Sequence, residues 1–298
     1  MRIVQRSILY CALAGITTLG SLVISPLAQA GAAKAARAVP FTVRLEDQIL
    51  ANLRYLPVAF VPRGSSTPTT TTTLPISTTT TTTVPGSTTT TTLGPTTTTT
   101  LPVSPTTIEA GNFVWRYPNL PQALQAQWSV GTNNVVLKGA LMRFQDVHGL
   151  ATTGQMDSTT WESIVSAARK HQIDPNPYTY VYVSQTQPET LTLYIDNYAF
   201  FSTAVNTGLS VAPTQSGTFP VYLRYTVTTM SGKEPDGKPY HDKGIPWVSY
   251  FNGGDALHGF IRGAYGYPQS LGCVEMPFAS AQTVFPFTPI GTLVTVNL

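Results

Sequence analysis

The sequence predicts a mainly β C-terminal domain, a sandwich or barrel with one short helix, behind a small helical module and a disordered Thr/Pro linker. Three observations carry this. From Pro177 onward, apolar and polar residues alternate with period two and are rich in β-branched and aromatic types. Leu137, Ala140, Leu141 and Phe144 recur at helical spacing. Between Gly64 and Thr107 almost nothing could be buried.

In chain order, residues 1–30 have the layout of a secretory signal peptide. Arg2 and Arg6 precede an apolar run from Ile8 to Ile24, and Ala28-Gln29-Ala30 offers a small-x-small cleavage site after Ala30. The run approaches the ~18–20 apolar residues a span needs, so an uncleaved anchor is the rival reading. A secreted or cell-envelope location, in wall or periplasm, is expected. Of the formal charge of +3, Arg2 and Arg6 supply two, leaving about +1 after cleavage. No basic cluster supports a nucleic-acid partner. Cys11 lies in the leader, so the mature chain keeps a single cysteine, Cys273, and forms no internal disulfide. In an oxidising compartment a lone thiol suggests reactivity or intermolecular pairing, with an inert buried cysteine as the plain alternative.

Residues 31–63 form an N-terminal segment in which Leu45, Ile49, Leu50 and Leu53 suit a short helix, too short to fold alone. Residues 64–107 run through stretches such as TTTTTTVPGSTTTTTLGPTTTTT. Such a segment cannot offset its ordering entropy and is expected to be an extended spacer, open to O-glycosylation, with a reach on the order of 130 Å. Residues 111–170 read as a helical module. Gly149 ends the first apolar helix; Asp157, Ser158 and Thr159 can cap the next, with Thr159 and Glu162 at capping-box spacing. Trp161, Ile164, Val165 and Ala168 give the second helix its apolar face. His148 reads as a cation at the end of the first helix, and His171 as part of a polar junction. The pattern Ala140-Leu141-x-x-Phe144-Gln145, Gly149-Leu150, Gly154-x-x-Asp157-x-x-Thr160-Trp161 resembles the peptidoglycan-binding-like domain, which implies a three-helix module over roughly Leu120 to Ala168. A helical packing domain that binds nothing is the plain reading of the same residues.

Residues 177–298 supply the expected strands PYTYVYVS, ETLTLYID, NYAFFSTAVN, GTFPVYLRYTVTTM, PWVSYF, ALHGFIR and TLVTVNL, with one helix from Phe278 to Val284. The stretch SGKEPDGKPYHDKG, with His241-Asp242, reads as a solvated turn and, as a minor alternative, a substrate lid. No His/Cys/Asp spacing suggests a metal site.

Chemistry gathers at HGFIRGAYGYPQSLGC, His258 to Cys273. A thiol titrates near ~8.5 and imidazole near ~6.5, so a His–Cys pair can favour thiolate–imidazolium at neutral pH. The thiolate attacks and the histidine returns the proton to a leaving amine. Gly272 leaves amides beside Cys273 open to a developing oxyanion, and Gly259 would keep the approach to His258 clear.

Three segments, Asn206-Thr207-Gly208 with Pro213 to Phe219, Ile245 to Gly259, and Ser270-Leu271-Gly272-Cys273-Val274, together resemble the L,D-transpeptidase (YkuD-type) catalytic domain across Pro177 to Leu298. The resemblance implies Cys273 as nucleophile, His258 as base, and an oxyanion hole at Gly272–Cys273. It implies Ser270 as loop-orderer and Tyr250 as a site-lining residue. Arg262 could meet a substrate carboxylate, although a surface arginine is the plainer reading. It further implies a monomer that uses no cofactor and no metal, and acts on donor and acceptor peptidoglycan stem peptides. Cysteine amidase or carboxypeptidase action on those stems, and a wall-binding scaffold without turnover, are the rivals. Two positions depart from the motif. Leu271 replaces its second histidine. Glu275 stands where Arg or Asn commonly sits, and its carboxylate would raise the Cys273 pKa.

Overall fold

The computed structural model describes residues 39–64 and 107–298. The leader and most of the Thr-rich stretch lie outside the described residues. Among those described, no helix is long and apolar enough to cross a membrane.

Helix α1 (Val43–Asn52) starts at Thr42, whose side chain accepts the Leu45 amide. Its apolar spacing buries Leu45, Ile49 and Leu50. The partners are α3 (Val135–Val147) and α4 (Ser158–Arg169), through Ala140, Phe144 and Ile164 in one continuous core. Between α1 and α3 lies the single-turn α2 (Gln122–Gln125). Segment 31–63, read as too short to fold alone, places its α1 in the core that those helices leave open. Strand β1 (Val58–Pro62) then pairs antiparallel with β2 (Gly111–Trp115), setting Pro62 opposite Gly111. The Thr-rich stretch therefore departs from and returns to one small hairpin. It does not join two separately folded parts.

The helix signals fall close to expectation, with one change. Of the candidate caps, Asp157 starts α4, accepting the Thr160 amide at 2.7 Å. His148 ends α3 but stacks on Phe144, and burial lowers its pKa, so it serves as a neutral ring beside the Tyr55 hydroxyl and not as a cation.

The β region forms two sheets. One has the order β5-β4-β3-β11-β6, from Tyr198–Ala204, Thr190–Ile195, Thr179–Ser184, Leu293–Asn297 and Gly217–Pro220. The other has the order β10-β9-β8-β7, from Val274–Met276, Asp255–Gly259, Pro239–Asn252 and Leu223–Lys233. Val181, Leu191, Leu193 and Val294 of the first meet Phe251, Leu257 and Val274 of the second, with α5 (Phe278–Val284) completing this core. The expected strand Gly217 to Met230 breaks after Pro220 into β6 and β7, one in each sheet. The stretch read as a solvated turn is mostly strand: β7 and β8 make a long hairpin with its tip at Glu234–Lys238.

The first sheet also rests on the helical core through Tyr180 and Leu293. Contact is closest where Gly139 of α3 meets Gly291: a Cβ on Gly139 would lie 2.7 Å from the Gly291 carbonyl oxygen. Only glycine permits that approach.

Burial costs the most on α1. Glu46 and Asp47 are both almost wholly buried, and each has one carboxyl oxygen without a hydrogen-bond partner. Burial, with the neighbouring Asp47, pushes Glu46 up to about 8, and burial pushes Asp47 up to about 6. The fold thus prefers the neutral acids. That preference is fully present below the unfolded carboxylate pKa and is lost as pH rises through the folded values. We predict that thermal stability falls between pH 5 and pH 8.5, measured by calorimetry. Glu46→Gln should flatten the fall above pH 6 and stabilise the chain at pH 8.5 by roughly 2 kcal/mol.

Candidate active site

The pairing of β9 with β10 builds the site. These strands run parallel, with His258 in register with Glu275. Side chains two residues apart share a face, so Cys273, just before β10, projects on the same side as Glu275 and His258. Cys273 packs among Ile245, Val248 and Ala256, bordered by Met230, Tyr250 and Phe260, and keeps part of its surface open. Its Sγ lies 3.8 Å from the Gly254 carbonyl oxygen.

His258 is buried, and its Nδ1 lies 3.1 Å from the Gly259 carbonyl oxygen. A carbonyl only accepts, so Nδ1 carries the proton and Nε2 keeps its lone pair. No hydrogen bond joins His258 to Cys273 among the described residues. Burial pushes the Cys273 thiol up to about 12, and the Asp255 and Glu275 carboxylates add to that while the Ala256 amide opposes it. Burial lowers the His258 pKa, against the Gly259 carbonyl and Glu275. Desolvation thus penalises both charges of the expected thiolate–imidazolium pair at once and favours the neutral thiol and the neutral imidazole.

The loop before Cys273 is held from beneath. Ser270 Oγ donates to the Cys273 carbonyl oxygen at 2.6 Å and accepts the Gly272 amide at 3.2 Å. The Gly272 amide is thus occupied. The Cys273 amide has no acceptor among the described residues, which narrows the expected oxyanion donors to that N–H. The Ser270 and Gln269 amides both donate to the Thr207 carbonyl oxygen, and Leu209 donates to that of Ser270. Thr214 Oγ1 accepts the Gly208 amide at 2.9 Å and lies 3.5 Å from the Cys273 carbonyl oxygen. The three segments singled out in the sequence converge here.

Two carboxyls, Glu189 fully buried and Asp255 half-buried, escaped sequence reasoning. Glu189 accepts both the amide and the hydroxyl of Thr207 at 2.7 Å, fixing the strand end that carries the Ser270 loop. Asp255, pushed up to about 6 by burial, lies against Gly272, whose φ of +119° and close carboxylate leave no room for a side chain. Asp255 opens β9 and Glu189 sits just before β4, and no local pattern marks either.

Two expected roles change. Gly259 faces away from the thiol: a Cβ there would come within 3.0–3.3 Å of Phe278, Pro246 and Ala281, so it makes room for α5. Arg262 is not free for a substrate. Its guanidinium donates twice to Glu275 at 2.7 Å and lies over the Phe260 ring. That same pair compensates the buried Glu275 charge. Tyr250 does border Cys273, with Tyr222 and Tyr225 packed around it. The β7–β8 hairpin reaches the same place: Met230 packs near the sulfur, and the Asp242 carboxylate acts to raise the His258 pKa. Among the described residues, no cluster of His, Cys, Asp and Glu could hold a metal ion.

Residues 178–296 match the family model of the L,D-transpeptidase catalytic domain. No curated protein matches the chain. Among solved structures, it is similar to an L,D-transpeptidase from Mycobacterium smegmatis at 18% identity, covering 41% of this chain and 59% of that one with a TM-score of 0.37. The catalytic domain of the E. faecium L,D-transpeptidase matches at 24% identity over 42% of this chain and 100% of that one, with a TM-score of 0.37. L,D-transpeptidase 3 from Mycobacterium tuberculosis, with a faropenem-derived adduct, matches at 19% identity over 41% and 61%, also with a TM-score of 0.37. The chain thus spans about three fifths of the M. smegmatis protein's length.

A neutral thiol should alkylate slowly at neutral pH. The rate of Cys273 reaction with iodoacetamide should climb steadily with pH past 9, and a plateau near pH 7 would contradict the neutral pair. Arg262→Met leaves Glu275 buried and uncompensated. Denaturant unfolding should show a loss on the order of 3 kcal/mol, most of it recovered when Glu275→Gln is added.

Proposed function

We propose that this protein is an L,D-transpeptidase acting through a cysteine acyl-enzyme on peptidoglycan stem peptides in the cell envelope. The observation that carries this reading is the shared face of Cys273 and His258, with Nε2 unprotonated and the Cys273 amide unengaged. The family match over 178–296 supports it.

In this reading His258 acts as a general base when the substrate arrives. Nε2 takes the thiol proton as Sγ attacks the carbonyl carbon before a terminal D-Ala, and the Cys273 N–H faces the oxyanion. The C–N bond then breaks, and His258 returns the proton to the departing amine. An acceptor amine on another stem attacks the thioester, gives a proton to His258 and leaves a 3→3 cross-link with the thiol restored. Because the thiol starts neutral, its proton transfer belongs to the attack step.

One observation favours a second reading. Two carboxylates, Asp255 and Glu275, act on the thiol from close by. A chain whose turnover has been suppressed, serving as a wall-binding scaffold, would tolerate that arrangement. The helical part, by its resemblance, would hold either version at the wall.

Muropeptide analysis separates the two. Sacculi incubated with the protein should gain 3→3 dimers and lose tetrapeptide monomers, and Cys273→Ala should abolish both changes. Tripeptides without dimers would assign water as the acceptor. No change with a correctly folded wild type would support the scaffold.

A further inference from the structure

Away from the cysteine, a cleft of about 660 Å³ opens between α1, the start of α3 and the turn before α4. Val43, Leu137, Leu141 and Met156 give it apolar walls, and Phe41 lines it with an exposed ring. Glu46, one turn from Val43 on α1, also lines it, only 1% exposed and with Oε1 unpartnered. Lys138 stands exposed beside the cleft and forms no ion pair with Glu46.

A buried carboxyl oxygen without a donor is costly, and glutamine in its place would spare the chain the charge. An apolar cleft that keeps such a group is built to receive the missing donor. We propose that this cleft binds an organic ammonium ion on a short apolar body, seated with its N–H donors on the Glu46 carboxylate. The apolar body lies against Val43, Leu137 and Leu141. A carboxylate in apolar surroundings, here with Asp47 beside it, favours a cation over a neutral donor, because an opposite charge close by compensates its desolvation. The ion pair forms as Glu46 gives up its proton, since burial and Asp47 hold it neutral up to about pH 8. Binding at pH 7 thus releases close to one proton per ligand, and affinity rises with pH until the ligand amine itself loses its charge.

The test uses the full-length chain, methyl NMR and n-butylammonium as the probe, with n-butanol and butyrate as controls. The methyls of Val43, Leu137 and Leu141 should shift saturably with n-butylammonium and at least about tenfold more weakly with n-butanol. Butyrate should leave them unmoved. Binding should tighten about tenfold from pH 7 to pH 9. Glu46→Gln, which should stay folded and be the more stable chain at pH 8.5, should lose binding by about tenfold or more. That pairing of raised stability with lost binding separates a ligand group from a structural one. Equal binding of n-butanol, unchanged binding by Glu46→Gln, or no saturable shift at tens of millimolar would each overturn the proposal. None of these readouts involves Cys273, so the result stands apart from the transpeptidase reading.

Discussion

Parallel pairing of Val274–Met276 with Leu257–Gly259 is the constraint on which the site depends. It brings a residue from the end of one strand beside a residue near the start of another. The chain between them is left to form the loop that walls the site. Shifting the register by one residue would turn Cys273 and Glu275 toward the core between the two sheets and put Val274 and Met276 on the face of His258. Much of the surrounding hydrogen bonding protects that register. Ser270 grips the Cys273 carbonyl, Thr207 anchors Ser270, and buried Glu189 anchors Thr207. Arg262 closes the other end on Glu275.

This scaffold also sets the electrostatics. Its dense packing favours the neutral forms of the Cys273 thiol and the His258 imidazole; the nearby carboxylates reinforce this at the thiol and oppose it at the imidazole. Compensation comes from Arg262, which spends its guanidinium on Glu275 and so withdraws from the open surface. The two departures from the family pattern therefore differ in kind. Glu275 acquires a partner that makes it part of the framework, whereas Leu271 simply omits a polar group near the thiol.

Residues whose role depends on a local pattern were legible in the sequence: the α3 and α4 faces, most strands, α5, and the convergence of the three motif segments. Roles decided by distant partners were not. Asp255 and Glu189 look like any acidic residue at the start of a strand until the fold presses one on Gly272 and hands Thr207 to the other. Gly259 invites a reading from its neighbour His258, yet the strand's alternation sends it to the opposite face, against α5. Helix α1 itself was legible, but its packing partners were hidden for a compositional reason. A long Thr-rich stretch signals a domain boundary, and no sequence rule states that Val58–Pro62 will pair across it.

That pairing changes what the Thr-rich stretch can do. With Pro62 held opposite Gly111, its two ends share one attachment point, like both cords of a bag tied to a single hook. Adding or removing threonines would move no atom of the β sheets relative to the helices. A protease nick inside it would leave two fragments that still travel together, fastened by the β1–β2 ladder and the buried face of α1. The spacing between helices and sheets is left to contacts such as that of Gly139 with Gly291.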